Sequence, residues 1–275
     1  MNSIKIVTDS SSNLTKLEGA DFAYASLKII TSDKEYTDNA ELDVNDMVNT
    51  LYRYSGKSST SCPNVSDWLA AFGDAENVVC FTITSALSGS HNSACQAKAA
   101  YESAHPDRRV LVVDSLSTGP EMALMAEKCS ELISLGKSLD EIEKELSTYK
   151  TELLFVLESM KNLANNGRIS KIAATAAGVL GVRAIGKASE KGTLEMLSKH
   201  RGNAKALQAL VEHTKSLGYK GGKLRISHCQ NEIFAKSFAD EIRAVFPSAQ
   251  ITVEECRALC SFYAEKGGML VGFEV

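Results

Sequence analysis

The chain has 275 residues, 44% of them hydrophobic and 23% charged, with 30 basic against 34 acidic side chains and a formal charge of −4. That apolar share supports a full core and excludes a disordered chain, while 18 Gly with only 4 Pro and no sustained heptad excludes collagen-like and coiled-coil classes. Mild acidity without a basic run argues against nucleic acid as the main partner.

The length suits two modest domains, and a change of texture places the division at residues 1–150 and 151–275. The seven cysteines are scattered and form no CxxC pair. Reduced thiols are expected, not a secreted disulfide framework. The opening MNSIKIVTDSSS lacks the length and flanks of a signal peptide. No apolar run approaches the ~20 residues of a membrane span. The expectation is a soluble, cytoplasmic protein with no transmembrane segment.

In chain order, IKIV (4–7), VVCFTI (78–83) and VLVVD (110–114) are short runs rich in β-branched residues, suited to parallel strands buried on both faces. Asp43 is placed to cap a helix carrying Val44, Met47, Val48 and Leu51. Asn64 with Asp67 three residues later is a weaker version of a capping box ahead of Trp68, Leu69 and Phe72. Ser90 to about Ala104 is Ala-rich and helix-favouring. Pro120 to Leu135 repeats apolar residues at helical spacing, and Gly136 is a natural stop. The first half therefore predicts an α/β domain with a doubly wound parallel sheet.

After residue 150, LLFVL (153–157) predicts a strand, then a short helix and a turn at Gly167 and Arg168. Ile172 to Gly181 reads equally as helix or loop. VRAIGKA and TLEMLSKH flank Glu190, Lys191 and Gly192, a hairpin signal. Helices near Ala204–Leu217 and Glu232–Phe246 alternate with strands KLRIS and QITVE, and GGMLVGFEV closes the chain. A C-terminal two-layer α/β domain with a mixed sheet is expected.

Hydroxyl-rich loops follow the strands of the first domain. IKIV leads into Thr8, Asp9, Ser10 and Ser11; VVCFTI leads into Thr84, Ser85, Ser88, Gly89 and Ser90; VLVVD leads into Asp114, Ser115, Ser117 and Thr118; Thr60 and Ser61 precede a further helix. In a parallel sheet such loops share the carboxyl edge, where open α/β sheets bind ligands. Several open helices, whose free N–H groups attract anions. Ser and Thr are also the ordinary N-cap residues. Taken singly each loop reads more readily as a cap; taken together they point to a carboxylate or phosphate site. Arg168 and Arg201 are the candidate cations, Arg201 standing just before a helix where it would reach the domain interface; each reads equally as a solvated arginine.

Other signals are weaker. GVRAIGK (181–187) resembles a P-loop, but Ala188 stands where Ser or Thr would hold Mg²⁺. There is no G-x-S-x-G elbow, and His228, Cys229, Cys256 and Cys260 lack zinc spacing. No metal and no catalytic residues are assigned. The second functional reading is a small-molecule phosphotransferase using Asp9 or Asp114 as nucleophile. TDSSS lacks the second aspartate two residues on, so the reading preferred for Asp9 is an orienter of loop hydroxyls and amides.

These loops carry a resemblance to the DegV family. IVTDSSSNL resembles the family's opening strand and Asp-Ser loop. STSCPNVS resembles its T-S-x-P segment at Thr60, Ser61 and Pro63, and SALSGS its S-x-L-S-G-T segment at Ser85, Leu87, Ser88 and Gly89. VVDSLSTG, NGRIS and KHRGNAKAL match further segments, so the resemblance spans essentially the whole chain. It implies two α/β domains holding a fatty acid between them, with its carboxylate on Thr60 and Ser88. It further implies that some members present the acid to a separate ATP-dependent fatty-acid kinase subunit, and that the carrier has no cofactor and no catalysis of its own. The chain departs from the pattern in three places. Ser90 replaces the usual Thr and Cys62 the common Gln. Tyr263, Glu265, Lys266 and Gly267 stand where the family has a His followed by Gly-Pro-Gly, which puts kinase coupling in question more than binding. Ile172 to Ile185, with the small residues Ala173 to Ala177, are expected either to line the acyl tunnel or to be ordinary core.

Overall fold

The computed structural model describes residues 4–170 and 181–275. Strand β1 (Ile4–Asp9) runs into a 3-10 turn (Ser10–Ser12) and is followed by β2 (Phe22–Ala25), then by three-residue strands β3 (Lys28–Ile30) and β4 (Glu35–Thr37). Helix α1 (Val44–Arg53) leads to β5 (Ser59–Ser61), α2 (Val65–Phe72), β6 (Asn77–Thr82), α3 (Ser90–Ala104) and β7 (Arg109–Asp114). Helices α4 (Gly119–Ser134) and α5 (Leu139–Thr148) precede β8 (Thr151–Leu157), α6 (Lys161–Asn165), and the hairpin β9 (Val182–Ala188) and β10 (Leu194–Arg201). The chain continues through α7 (Asn203–Ser216), β11 (Lys223–His228), α8 (Glu232–Val245), β12 (Gln250–Glu255), α9 (Ala258–Ala264) and β13 (Met269–Glu274).

Strands β2-β1-β6-β7 form a wholly parallel sheet. Its apolar runs are buried on both faces, as parallel strands require. Val7, Val78 and Cys80 pack with Trp68, Phe72 and Ala94 of α2 and α3. Ile6, Val79 and Phe81 point the other way, to Met122, Ala126 and Ile142 of α4 and α5. The second sheet has the order β10-β9-β8-β13-β11-β12, antiparallel except for the β11–β12 pair. Leu154, Val156 and Ile185 face α7 and α8. Leu153, Phe155 and Leu157 face inward, toward α9 and a small antiparallel sheet β4-β3-β5 that carries Ile29.

Local signals explain the element ends. Asp43 Oδ1 accepts from Asp46 N at 2.9 Å and starts α1. Asn64 and Asp67 exchange both bonds of a capping box at 3.0 and 2.8 Å. Gly136 and Gly192 take φ of 76° and 73°, left-handed values that end α4 and turn the hairpin. The small antiparallel sheet, α5 and α9 lie outside the elements that the sequence pattern predicts. The GVRAIGK segment is strand β9, not a strand-to-helix turn. Among the described residues no helix is long and apolar enough to cross a membrane. All seven cysteines are free thiols.

Helix α4 lies between the sheets, packing against β1 and β6 on one side and β8, β11 and β13 on the other. The approach depends on Gly272 of β13, where a Cβ would stand 2.5 Å from Glu121 N. Glu121, in the first turn of α4, is buried and receives hydroxyl bonds from Ser117 and, at 2.7 Å, from Thr151 at the start of β8. Burial pushes its carboxyl from 4.5 up to about 7, against the pull of those two donors, with Glu152 adding to the rise. The folded protein therefore keeps this proton up to about pH 7, whereas the unfolded chain releases it near 4.5. The proton's stabilising contribution is complete below that window and is lost as pH rises through it. Glu121→Gln, which keeps an acceptor for Thr151, is expected to flatten the fall in thermal midpoint between about pH 4.5 and 7 and to melt higher than the parent above it. A variant with the parent's slope in pH-resolved thermal scans would show that this carboxyl does not titrate there.

Candidate ligand-binding site

The carboxyl edge of the parallel sheet is organised by Asp9. Its side chain is fully buried, and its two oxygens accept from four donors: Ser11 N at 3.2 Å, Ser11 Oγ at 2.5 Å, Ile83 N at 2.9 Å and Ser90 Oγ at 2.6 Å. Burial raises its pKa and the donors pull it back. One carboxylate thus ties the loop after β1 to the loop after β6 and to the start of α3. The remaining loops lace onto this frame. Ser10 Oγ accepts from Leu27 N at 3.0 Å, Asp114 Oδ1 accepts from Ser85 N and Leu116 N at 3.1 Å each, and Ser115 Oγ donates to Ser117 O at 3.0 Å. Asp9 and Asp114 therefore hold loops, and Asp9 has no exposed oxygen with which to attack a phosphate.

Helix α9 supplies the opposite side. Asp38, beyond β4, accepts from Ala258 N and Leu259 N at 3.0 Å each, a buried carboxylate at a helix N-terminus. Asn13 Oδ1 accepts from Arg257 N at 2.9 Å. Thus anchored, α9 presents Tyr263, whose hydroxyl lies 2.8 Å from Thr60 Oγ1 on β5. Arg168 follows Gly167 out of α6, donates Nε to Leu87 O at 3.2 Å, and stands 6.0 Å from the Tyr263 ring. Burial raises the Tyr263 pKa, offset by Thr60 and Arg168, so the hydroxyl is a neutral donor near neutral pH.

Thr60, Ser88, Arg168 and Tyr263 all line one cavity between the sheets. Its other walls are almost entirely apolar, led by Leu27, Ile83 and Leu87 from the first half and Leu153, Phe155 and Leu270 from the second sheet. The space among these walls, open mouth included, is about 700 Å³. A cluster of hydroxyls and one guanidinium at a greasy cavity suits an amphiphile with an anionic head.

Not every expected residue reaches the cavity. Ser90 turns its hydroxyl into Asp9 and is fully buried, so it supports the loop instead of facing a ligand. Ser61 pairs with Lys28 in the small sheet, and Gly89 lies against Cys62, whose Sγ would be 3.3 Å from a Cβ there. Ser10 and Ser115 are occupied with loop bonds. Arg201 is exposed at the far end of β10 from Leu194, about 23 Å along the strand. It sits on the edge strand and away from the polar cluster, because the hairpin runs outward after its turn at Gly192. Ile185 faces α7 and α8, not the cavity; Ile172 to Leu180 lie outside the described residues. Sequence reasoning also missed the walls Leu163, Leu194, Leu259 and Cys260. Only the period-two run Leu153, Phe155, Leu157 carried a signal, and it did not say which face was inward.

Where a His and Gly-Pro-Gly were expected, Tyr263 and Glu265 make their own arrangement. Glu265 adopts φ 56°, a conformation natural to glycine. Its carboxylate accepts from Ser159 Oγ and Asn162 N at 2.9 Å each, which ties the turn to α6.

The comparisons with known proteins agree with this fold. A family model described as "Uncharacterised protein, DegV family" matches residues 3–274. The chain belongs to the DegV family. A DegV domain-containing protein of Streptococcus pneumoniae is 42% identical, with 98% of this chain and 99% of the relative aligned. Among solved structures, a DegV protein of Eubacterium eligens loaded with heptadecanoic acid is 41% identical with a TM-score of 0.98, over 99% of this chain and 100% of the other. The Streptococcus pneumoniae Fatty Acid Kinase (Fak) B3 protein loaded with linoleic acid is 42% identical with a TM-score of 0.97, over 99% of each chain.

Asp9 generates a test of the DegV site's frame. Asp9→Asn replaces an acceptor oxygen with an amide that faces N–H and O–H donors, and is expected to cost roughly 2–4 kcal/mol of stability. Denaturant unfolding checks this; a loss under about 1 kcal/mol would mean that the loops are held by other bonds.

Proposed function

We propose that this protein is a fatty-acid carrier that encloses the acyl chain between its two sheets and holds the carboxylate on Thr60 and Ser88, with Tyr263 and Arg168 beside them. The observation that carries this reading is the apolar cavity with its polar groups gathered around the Thr60–Tyr263 contact. Two hydroxyls 2.8 Å apart can each donate to one carboxylate, and the Arg168 guanidinium supplies the opposite charge. About fourteen buried methylenes at about 0.8 kcal/mol each give roughly 11 kcal/mol of gross driving force, against an association cost of at least several kcal/mol. The tail supplies affinity and the head group sets orientation. The heptadecanoic and linoleic acids of the two related structures support the same ligand class.

The reading extends to a cytoplasmic carrier of two domains, 1–150 and 151–275, without cofactor or chemistry of its own, which presents its acid to a separate ATP-dependent kinase subunit. The kinase link rests on likeness to the Fak B3 protein.

Mass spectrometry of a denatured extract, after lipid is supplied, is expected to find a fatty acid; no acyl species would overturn the reading. Thr60→Ala and Ser88→Ala are each expected to weaken binding about tenfold or more in a fluorescent fatty-acid displacement titration. Unchanged affinity in both would remove these residues from the head-group site.

A further inference from the structure

Tyr263 and Arg168 come to the cavity from different elements. Tyr263 lies in the last turn of α9, and Arg168 leaves the turn that ends α6. Gly167 N donates to Ala164 O at 3.1 Å and Arg168 N to Leu163 O at 2.8 Å, so the course of Arg168 is set by where α6 lies. Helix α6 has five residues, too few to be stable alone, and Met160 at its N-cap offers no side-chain acceptor. The acceptors come from beyond α9. Glu265, the residue that follows that helix, uses both carboxylate oxygens: Oε1 accepts from Asn162 N and Oε2 from Ser159 Oγ, each at 2.9 Å. Ser159 Oγ in turn accepts from Lys161 N at 3.2 Å. Two of the free N–H groups that open α6 are thereby satisfied, one by Glu265 and one through Ser159. Asn162 Nδ2 returns a bond to Phe262 O at 2.8 Å, next to Tyr263. The end of α9 and the start of α6 are clamped together, and Leu163 and Arg168 from one side line the same cavity as Tyr263 and Ala264 from the other. A glycine at 265 would suit the φ of 56° and would leave the clamp absent.

We propose that Glu265 is a positioning residue for head-group recognition: by fixing α6 to α9 it holds the Arg168 guanidinium beside the Tyr263 ring, 6.0 Å away, so that both meet the same carboxylate. This rests on the fatty-acid reading above and adds to it a residue outside the cavity lining. Glu265 acts on the head group through Arg168, whereas the tail is held by apolar walls from both sheets.

The test separates head from tail. Heptadecanoic acid and heptadecanol share one tail and differ in the carboxylate, and each is titrated against a bound fluorescent fatty acid in parent and variant proteins. Glu265→Gly is expected to weaken binding of the acid about tenfold while changing that of the alcohol by less than about twofold. Glu265→Gln, which keeps one acceptor oxygen, is expected to show the same selective loss at smaller size, and it decides the matter should the Gly variant not fold. In an Arg168→Ala background, Glu265→Gly is expected to cost the acid much less than it does in the parent, because the two residues act as one unit. Equal losses for acid and alcohol would mean a general disturbance of the cavity, and an unchanged acid affinity would mean that the head group is placed without the clamp; either result overturns the proposal, as does a full additional loss in the Arg168→Ala background. A parent that binds neither ligand would instead overturn the fatty-acid reading itself.

Discussion

Asp9 has a carboxylate with no contact with water, yet it is held on the carboxyl edge of a parallel sheet by two backbone N–H groups and two serine hydroxyls. A buried charge is tolerated only when its lone pairs are satisfied. The four donors come from the loops after β1 and β6 and from the first residue of α3, so satisfying the carboxylate fixes all three relative to one another. Ser88, two residues before one of those donors, takes its position from this frame, and its Oγ accepts from Ser90 N at 3.2 Å. The serines of the first loop are consequently structural: Thr8 and Ser12 bond to each other, and Ser10 holds Leu27, a wall of the cavity. The hydroxyls that line the cavity are few because most of the hydroxyls at this edge are engaged in holding it together.

The second sheet contributes through its two-sidedness. Along β8, Leu154 and Val156 belong to the core under α7 and α8, while Leu153, Phe155 and Leu157 form the floor of the cavity. Both faces are apolar, but only one is fully covered by protein. On the other, α4, α9 and the small sheet stand apart enough to leave a channel. Helix α4 keeps the two sheets in contact at one end, where Gly272 allows the backbone of β13 to meet the first turn of α4. Arg225 of β11 pairs with Glu127 of α4 and, at 2.6 Å, with Glu254 of β12, adding a buried charged tie along the same seam.

Much of this was legible in the sequence, and the parts that were not have physical reasons. The parallel strands were readable because burial on both faces leaves continuous β-branched runs, and α1, α2 and α4 because Asp43, Asn64 with Asp67, and Gly136 mark their ends chemically. The pair Ser138 and Glu141 is an equally plain capping box for α5, a short helix that follows directly on the longer α4. Strands β3, β4 and β5 have three residues each, too few for a period to show. Helix α9 is apolar almost all round because it is buried on most sides, so it lacks an amphipathic stripe. Thr60 and Ser88 stand out in the sequence only through motif resemblance; the meeting of Thr60 with Tyr263 depends on Asp38 and Asn13 anchoring α9 across more than 200 residues of sequence, a link that no local pattern encodes. Arg201 was misplaced for the converse reason: adjacency to a helix start says nothing about which end of a hairpin faces the ligand.

The C-terminal turn shows how a departure from a family pattern can be absorbed. Glu265 takes a left-handed backbone where glycine would be unstrained, at a cost on the order of 1 kcal/mol or more, and its carboxylate offsets that strain by receiving Ser159 and Asn162 N of α6. Gly267 O is held in turn by Asn231 Nδ2 at 2.6 Å and by Arg183, which also pairs with Glu158 at 2.7 Å. With both ends of the turn fixed, α9 ends where Tyr263 can meet Thr60. Replacing an imidazole with a phenol at that point changes the chemistry more than the shape. An imidazole changes charge near neutral pH, whereas the buried Tyr263 hydroxyl remains neutral there. At that point the cavity is offered a phenol hydroxyl, bonded to Thr60, whose protonation does not change near neutral pH.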